Sequence, residues 1–499
     1  MTNEMTLTYQ TRLNLDERQE KIVQNYASLL SSVERSLFAE VSKGKISTSC
    51  KSDFLKKFGI TARQFNGCRI NLDGKIAACK TAQQQHLISL KQQIASLDTQ
   101  IKKLETKTSK KDQLHQKKRR KHILEFRLSS IEEDKKQKKI RLCFGGKRLF
   151  NAQYYLEENR FASHSEWEKI WKAKRNSEFF LVGSKDETGG NQTCSAYVKN
   201  EKINLHLRIP KALENEFGKY IEIENLFFNY GQKDILAALN HPEGRALSYR
   251  FKKDDKGWKV FVSVAIEKPV PVCKNNIGVI GIDLNADHIA YVETDCFGNI
   301  ISKKRMPWIS YGKKREQLKA ITGDLCKTII EKAKETKKPI VIEQLDFQRK
   351  KLSLKEGKNK KFARLLSSFA YGLFIMCLKG RAFKHGIEVN QVNPAFTSVI
   401  GRVNYAKRYG LSVHLAAALC IARRYQKFSE TPCSPIAVMS DGKGSHVTFV
   451  LPERNRTEHV WRFWGHVKKK ITTVLAAHKQ TTLCRSNSPL KTALGIGDF

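Results

Sequence analysis

The sequence predicts an α/β domain over its second half, preceded by a mostly β domain that a long helical stretch interrupts. Three patterns carry this reading. After Ile277 the chain runs strand, strand, strand, helix, strand, helix, strand, helix. Between residues 142 and 270 short β-type runs alternate with turn signals, and an earlier run of the same kind stands at 6–13. Between those β runs, apolar residues recur at the 3-4 spacing of a helical seam. A length of 499 residues and 40% hydrophobic content allow several buried cores.

Taken in order, residues 6–13 (TLTYQTRL) alternate as a strand does. From Asp16 to Val41 the period becomes helical, with Leu29, Leu30, Val33 and Leu37 on one stripe, and another helical stretch begins near Ile76. In 82–107, Leu87, Leu90, Ile94, Leu97, Ile101 and Leu104 form a heptad seam, a rod of about 38 Å at 1.5 Å per residue. A polar break at Thr108–Gln113 precedes a second run to Ile140, with Ile123, Leu124, Leu128 and Ile131 on one side. The pair reads as an antiparallel helical hairpin. Four β runs follow, 179–182, 203–209, 246–251 and 258–265, with DDKG at 254–257 as the hairpin turn between the last two. The strand at 6–13 is expected to join them, which makes 16–141 an insertion. KPVP at 268–271 reads as a linker.

The charge is the strongest compositional signal. Lys plus Arg number 91 against 49 Asp plus Glu, a formal net charge of +42. A folded chain with that charge repels itself unless an anion neutralises it, and nucleic acid is the polyanion it points to. Basic residues dominate Lys102–Arg141, with Lys117, Lys118, Arg119, Arg120 and Lys121 as a cluster. Either this is a solvated coiled-coil face or it lies along a phosphate backbone. The N-terminus has no charged-then-apolar leader layout. The longest apolar stretch, Leu365–Leu378, is broken by Ser367, Ser368 and Gly372 and is too short for a membrane span. Twelve cysteines show no disulfide ladder and no C-x-x-C pair. A reduced, cytosolic compartment with no membrane partner is the expectation.

In the second half, strands are expected at 277–283, 289–294, 300–305, 339–343 and 387–392, and helices at 312–336, 361–385 and 411–425. This order is the layout of an RNase H-like domain. Asp283 closes the first strand and Glu343 the fourth. On adjacent parallel strands the two carboxylates emerge at one sheet edge, where α/β ligands bind. Held close, they repel unless a cation sits between them, and Mg²⁺ suits hard oxygen ligands while keeping waters. His414, in GLSVHLAAALCIARR, is the candidate third ligand. The small residues Ala416, Ala417 and Ala418 let that helix approach the sheet closely. The other possibility for His414 is a hydrogen bond within the helix–sheet packing.

At these residues the chain resembles the TnpB/OrfB proteins of insertion sequences and the related small type V CRISPR effectors. GIDLN at 281–285 is similar to their first RuvC motif, and VIEQLDF at 341–347 resembles their second. ARLLSSFAYGLF at 363–374, VNPAFTS at 392–398 and YRFKKDDKGWKVFVSVAIEKP at 249–269 are similar to the segments around them. The likeness spans about 250–425, and the first 240 residues match in layout alone. It implies an α/β RNase H-like (RuvC) nuclease domain at 271–430 and a β-barrel wedge domain at 1–15 and 142–270. It further implies an inserted α-helical recognition domain at 16–141, and a C-terminal helix and tail at 431–499.

The resemblance also implies function: an RNA-guided DNA endonuclease that carries a guide RNA and cleaves target double-stranded DNA beside a short adjacent motif. Asp283, Glu343 and His414 would be its catalytic, Mg²⁺-binding residues, with one or two ions. Two departures stand out. Where relatives carry a zinc ribbon, VIGRVNYAKRYGLSV contains no cysteine, so no zinc is expected; Arg402, Lys407 and Arg408 there are expected to contact nucleic acid. His414 replaces the family's third acid, which leaves a second reading: a guided DNA binder that silences its target without cutting. Asp441 is a weaker substitute acid. Arg349, Lys350 and Lys351 follow Glu343 closely, as candidate contacts to a substrate phosphate. Near the C-terminus, 457–477 reads as an amphipathic helix packed through Val460, Phe463, Val467 and Ile471, followed by a tail expected to be disordered.

Overall fold

A computed structural model describes residues 4–106, 111–241, 244–285, 287–310, 312–344, 368–432, 434–440 and 446–486. The expectations for Arg349, Lys350, Lys351, Asp441 and the last residues of the tail lie outside the described residues. The chain forms two compact units, Met1–Glu267 and Lys268–Phe499.

In the first unit, β1 (Glu4–Arg12) is followed by the helices α1 (Glu17–Ser42), α2 (Lys51–Phe58), α3 (Ala62–Glu105), α4 (Lys111–Lys136), α5 (Lys147–Asn151) and α6 (His164–Arg175). Then come β2 (Glu178–Leu181), β3 (Cys194–Lys199), β4 (Lys202–Arg208), α7 (Lys211–Phe217), β5 (Tyr220–Leu226), α8 (Gln232–Leu239), β6 (Leu247–Asp254) and β7 (Gly257–Glu267). The strand at the start of the chain does join the later ones: all nine residues of β1 pair antiparallel with β7. Its neighbour β6 turns into β7 through Asp255 and Lys256, the expected hairpin.

The expected β-barrel is not formed. The strands make two open sheets, one of four strands in the order β1-β7-β6-β2 and one of three in the order β3-β4-β5. Closure needs a hydrogen-bonded partner for every edge strand. Here β1 and β2 remain the edges of the larger sheet, and β3 and β5 those of the smaller. The helices between β1 and β2 share a core with both sheets as far as Ile76. Tyr26 of α1 stacks on Phe179 of β2, which stacks on Phe251 of β6, each at 4.6 Å between centroids. Gln64, fully buried, donates from Nε2 to the Tyr26 hydroxyl at 2.7 Å. That bond offsets the desolvation of two polar groups.

Beyond Ile76, α3 leaves this core. At 44 residues it extends about 66 Å, longer than the expected rod because the earlier helical stretch is continuous with it. α4 folds back antiparallel against it, with Leu90, Leu97 and Leu124 buried at the seam. Cross-helix pairs fix the register: Lys118–Glu105 at 3.0 Å, Lys121–Asp98 at 2.6 Å and Lys91–Glu132 at 2.8 Å. Ile123 is 43% exposed, outside the seam. One residue is 100° of helix rotation, so Ile123 and its neighbour Leu124 do not face the same partner.

The second unit holds β8 (Ile280–Leu284), β9 (His288–Thr294), β10 (Ile300–Pro307), α9 (Arg315–Thr336), β11 (Ile340–Glu343), α10 (Ser368–Lys384) and β12 (Val389–Val392). These are followed by α11 (Thr397–Ile400), which runs on as a π-helical turn to Ala406, and by α12 (Val413–Tyr425). A hairpin of β13 (Ile436–Ser440) and β14 (His446–Val450) and the helix α13 (Val460–Ser486) complete it. The sheet order is β10-β9-β8-β11-β12. The first three strands are antiparallel neighbours, and β11 runs parallel to both β8 and β12. This is the RNase H-like arrangement the element order implies.

Both faces of the sheet are covered, which is why β8 and β9 are buried along their whole length. Ile280, Ile282 and Leu284 pack with Leu318, Ile329 and Ile330 of α9 and Phe374 and Leu378 of α10. On the other face α12 presses against the sheet. A Cβ on Gly281 would stand 2.2 Å from the Ala418 carbonyl oxygen and 2.9 Å from the Ala422 Cβ. Ala416, Ala417 and Ala418 are completely buried, as their size allows. α13 packs as expected through Phe463, Val467 and Ile471, together with a fully buried Trp464.

The substitution Gly281→Ala forces α12 off the sheet. It is expected to destabilise this unit by about 1–3 kcal/mol, as overpacking does. Denaturant unfolding checks this; an unchanged midpoint would mean that the approach is not tight.

Candidate active site

The site is built at the ends of β8 and β11. The pairing sets Ile342 beside Ile282, so the next positions, Glu343 and Asp283, lie side by side at one edge of the sheet. Strand alternation puts both on the α12 face, the face of Gly281 and Val341. The Asp283 carboxylate is almost enclosed. Its Oδ2 accepts from the Asn285 amide at 3.1 Å and lies 3.3 Å from Nδ1 of His414. The Glu343 carboxylate accepts a short hydrogen bond from the Thr397 hydroxyl at the start of α11.

α12 brings His414 to this place. Ser412 caps the helix, its hydroxyl accepting from the Leu415 N–H at 3.3 Å. Two residues into the helix, the His414 side chain is 48% exposed, while that of Asp283 is 10% exposed. One carboxylate is thus sequestered and its imidazole partner faces solvent.

Several participants were not singled out from sequence. Asp287, just before β9, and His288, its first residue, form a pair with 2.8 Å between His288 Nδ1 and Asp287 Oδ1. Arg305 on β10 donates to Asp287 Oδ2 at 3.1 Å. The His288 hydrogen bond, reinforced by the charge of Arg305, holds the Asp287 carboxyl below the usual range. His288 is buried and meets the His414 ring edge-to-face at 4.9 Å. Tyr371 of α10 donates to the Leu284 carbonyl at 3.3 Å. Burial raises its hydroxyl pKa, and the charges of Asp283, Glu343 and Asp287 raise it further. Those three carboxylates therefore act on one point, a concentrated negative field at the sheet edge. The legible signal was the run Asn285, Asp287, His288 directly after Asp283, polar residues at the mouth of a buried strand.

Of the three expected metal ligands, Asp283 and His414 are in contact and Asp283 and Glu343 are neighbours by register. Among the described residues no three His, Cys, Asp or Glu side chains converge into a cluster that would hold a metal. The donor set fits a Mg²⁺ held through its two carboxylates, since that ion is bound by one or two carboxylates, waters and substrate phosphates. His414 is placed here as the hydrogen-bond partner of Asp283.

The expected basic contacts divide. In the helical hairpin Lys117 donates to Gln100 at 2.7 Å, and Lys118 and Lys121 are ion-paired across it. Arg119 and Arg120 are exposed and in no ion pair among the described residues. Arg402 is half-buried and donates to the Ser440 carbonyl at 2.6 Å; burial lowers its pKa. It braces β13 against the π-helical turn. Lys407 is exposed, and the Arg408 guanidinium lies over the Tyr409 ring.

No family model matches the sequence, and no curated protein does. Among solved structures, T. thermophilus RuvC bound to a Holliday junction is 17% identical, over 29% of this chain and 90% of that one, with a TM-score of 0.22. A CRISPR-Cas12f ternary complex is 11% identical over 84% and 98%, with a TM-score of 0.21. A Cas12i–crRNA–dsDNA complex is 11% identical over 90% and 73%, with a TM-score of 0.32. Likenesses at these scores carry no argument about activity.

Two adjacent carboxylates cost stability that a cation restores. Asp283→Asn is expected to raise the thermal midpoint in chelator and to abolish the rise that Mg²⁺ or Mn²⁺ gives the native chain. Scanning fluorimetry measures both; a metal-induced shift retained by the variant would place the ion elsewhere.

Proposed function

We propose that the chain is an RNA-guided DNA endonuclease of the TnpB type, which cleaves phosphodiesters at the Asp283–Glu343 edge. One observation carries the reading: the parallel pairing of β8 and β11, which sets the two acids side by side under the helix that brings His414. The +42 net charge and the motifs GIDLN and VIEQLDF support it. Mg²⁺, held by Asp283 and Glu343, would supply a lowered-pKa water and a counter-charge for the phosphate. The chain's own residues do the remainder. His414 orients the Asp283 carboxylate, Thr397 fixes that of Glu343, and Asp287 with Arg305 holds His288 against His414. The guide RNA reads the target by base pairing, and the protein binds the heteroduplex through its backbone.

A second reading keeps the guided binding without the cut. The observation favouring it is that His414 stands as a partner of Asp283 and not as a third acid, which leaves the site one negative charge weaker. Expression with the native flanking DNA, followed by sequencing of the RNA that copurifies, supplies the guide for both tests. With that guide, Asp283→Ala is expected to abolish cleavage and leave RNA binding intact. His414→Ala is expected to slow cleavage about 10–100-fold, the usual loss for a residue that orients a metal ligand. If the native protein cuts nothing at any Mg²⁺ or Mn²⁺ level and His414→Asp does cut, the second reading holds.

Arg119 and Arg120 are the hairpin cations offered to a phosphate backbone. Reversing both to Glu is expected to weaken RNA binding and to lower the slope of log affinity against log salt by about 1.4, roughly 0.7 for each lost single-strand contact. Binding titrations across a salt series check it; an unchanged slope leaves the hairpin as a solvated face.

A further inference from the structure

The root of the α3–α4 hairpin, far in sequence from the candidate active site, contains a cavity of about 370 Å³. Its walls come from α3 (Cys79, Ala82, Gln83), from Ile131 on α4, and from Ile140 in the segment after α4. Around them stand Lys80, His86, Lys139, Arg141 and Lys147, with Asp134 as the one acid. Asp134 is spent on Arg141, whose Nε and Nη2 donate to its two carboxylate oxygens at 2.7 and 2.8 Å. Lys80, Lys139 and Lys147 are exposed and in no ion pair among the described residues. The Gln83 side chain is half-buried and in no hydrogen bond among the described residues.

These features together describe one kind of ligand. The volume lies at the small end of the range for ligand pockets, about 300–1,000 Å³. The apolar floor of Ala82, Ile131 and Ile140 suits a flat ring. The exposed Arg141 is oriented by its fork-on-fork pair with Asp134, and guanidinium planes and imidazoles are the surfaces on which unstacked bases lie. Gln83 offers a donor and an acceptor to a base edge or a 2′-hydroxyl. The three lysines match the phosphates on either side. A duplex cannot present a single base in this way; an unpaired nucleotide can.

We propose that this cavity captures one unpaired ribonucleotide of the bound RNA, its base seated between Arg141 and His86 and its flanking phosphates on Lys80, Lys139 and Lys147. This rests on the RNA-binding reading above and adds to it a defined point of attachment.

The test uses the full chain and a fluorescent single-stranded RNA of about 20 nucleotides carrying 4-thiouridines. Ala82 is exposed on the helix surface, so Ala82→Trp fills the cavity with no change in charge or core. The expected result is about a tenfold loss of RNA affinity with the salt slope unchanged. Gln83→Leu should lose affinity for RNA more than for DNA of the same sequence. Photo-crosslinks should fall on residues 79–86 or 139–147 in the native chain and vanish in Ala82→Trp. Circular dichroism confirms that each variant is folded. If native RNA binding is tight but Ala82→Trp binds equally well and crosslinks map elsewhere, the pocket is overturned and the RNA reading stands. Equal losses for RNA and DNA in Gln83→Leu overturn the ribonucleotide assignment. A free mononucleotide that competes the crosslink at micromolar level would make this a small-molecule site and overturn attachment to RNA. If the native chain binds no RNA at moderate salt, both readings fall together.

Discussion

The second unit depends on one steric constraint: α12 lies so close to the sheet that no side chain fits between them at Gly281. The same helix is clamped from its other side, where a Cβ on Gly401 would stand 2.5 Å from the Ala416 carbonyl oxygen. Between these two glycines the helix offers only alanines, and all of Ala416, Ala417 and Ala418 are buried. A larger residue at any of these contacts would move the helix by ångströms. His414, one turn before them, would move with it. The 3.3 Å contact between His414 and Asp283 is therefore a consequence of backbone packing several residues away, and the site inherits its precision from the core.

The sheet supplies the other half of that precision. Asp283 and Glu343 stand at or next to the ends of β8 and β11, each after a short buried apolar run. Parallel pairing makes their ends coincide. Repulsion between the carboxylates is contained locally. Asn285 and His414 hold one, Thr397 holds the other, and Asp287 is drawn off to His288 and Arg305. Tyr371 registers what remains: burial raises its hydroxyl pKa, and the three carboxylates raise it further. A site that collects negative charge inside a chain of net charge +42 is an electrostatic exception, and a polyanion drawn to the chain as a whole meets it only where a cation intervenes.

Much of this was legible from the residues, and the failures have physical causes. The strand ends at Asp283 and Glu343 and the small face of α12 follow from local pattern, because period and size are local properties. The seam of the hairpin was readable for the same reason, yet Ile123 was not separable from Leu124 until the rotation of α4 was fixed. The barrel was not decidable. Short strands and turns are the same in a closed barrel and in two open sheets, and closure depends on which edges pair at long range. The pairing of β13 with β14 was passed over, although IAVMS and HVTFV alternate on either side of Gly442 and Gly444. Asp287 and His288 were missed because a site was sought only at strand ends. Here the start of β9 sits beside the end of β8 by antiparallel pairing, with Leu284 opposite Ile289.

The two units distribute opposite charge problems. In the first, cations are partly neutralised within the protein: Lys118, Lys121 and Lys91 reach across the hairpin to acids, and that pairing sets its register. Of the cations in no ion pair among the described residues, Arg119 and Arg120 are exposed on α4, and Lys80, Lys139 and Lys147 line a cavity at the root of the hairpin. Exposed ion pairs of this kind contribute little to stability, about 0–1 kcal/mol each. A hairpin that protrudes beyond its core and holds so many charges therefore gains little from them as a folded object. Its seam is narrow, with Leu90, Leu97 and Leu124 buried together and Leu87 and Ile101 buried along the same stripe. The self-repulsion of the remaining cations is tolerable when an anionic chain lies along the hairpin, and an attachment point at its root would fix where along the rod that chain begins.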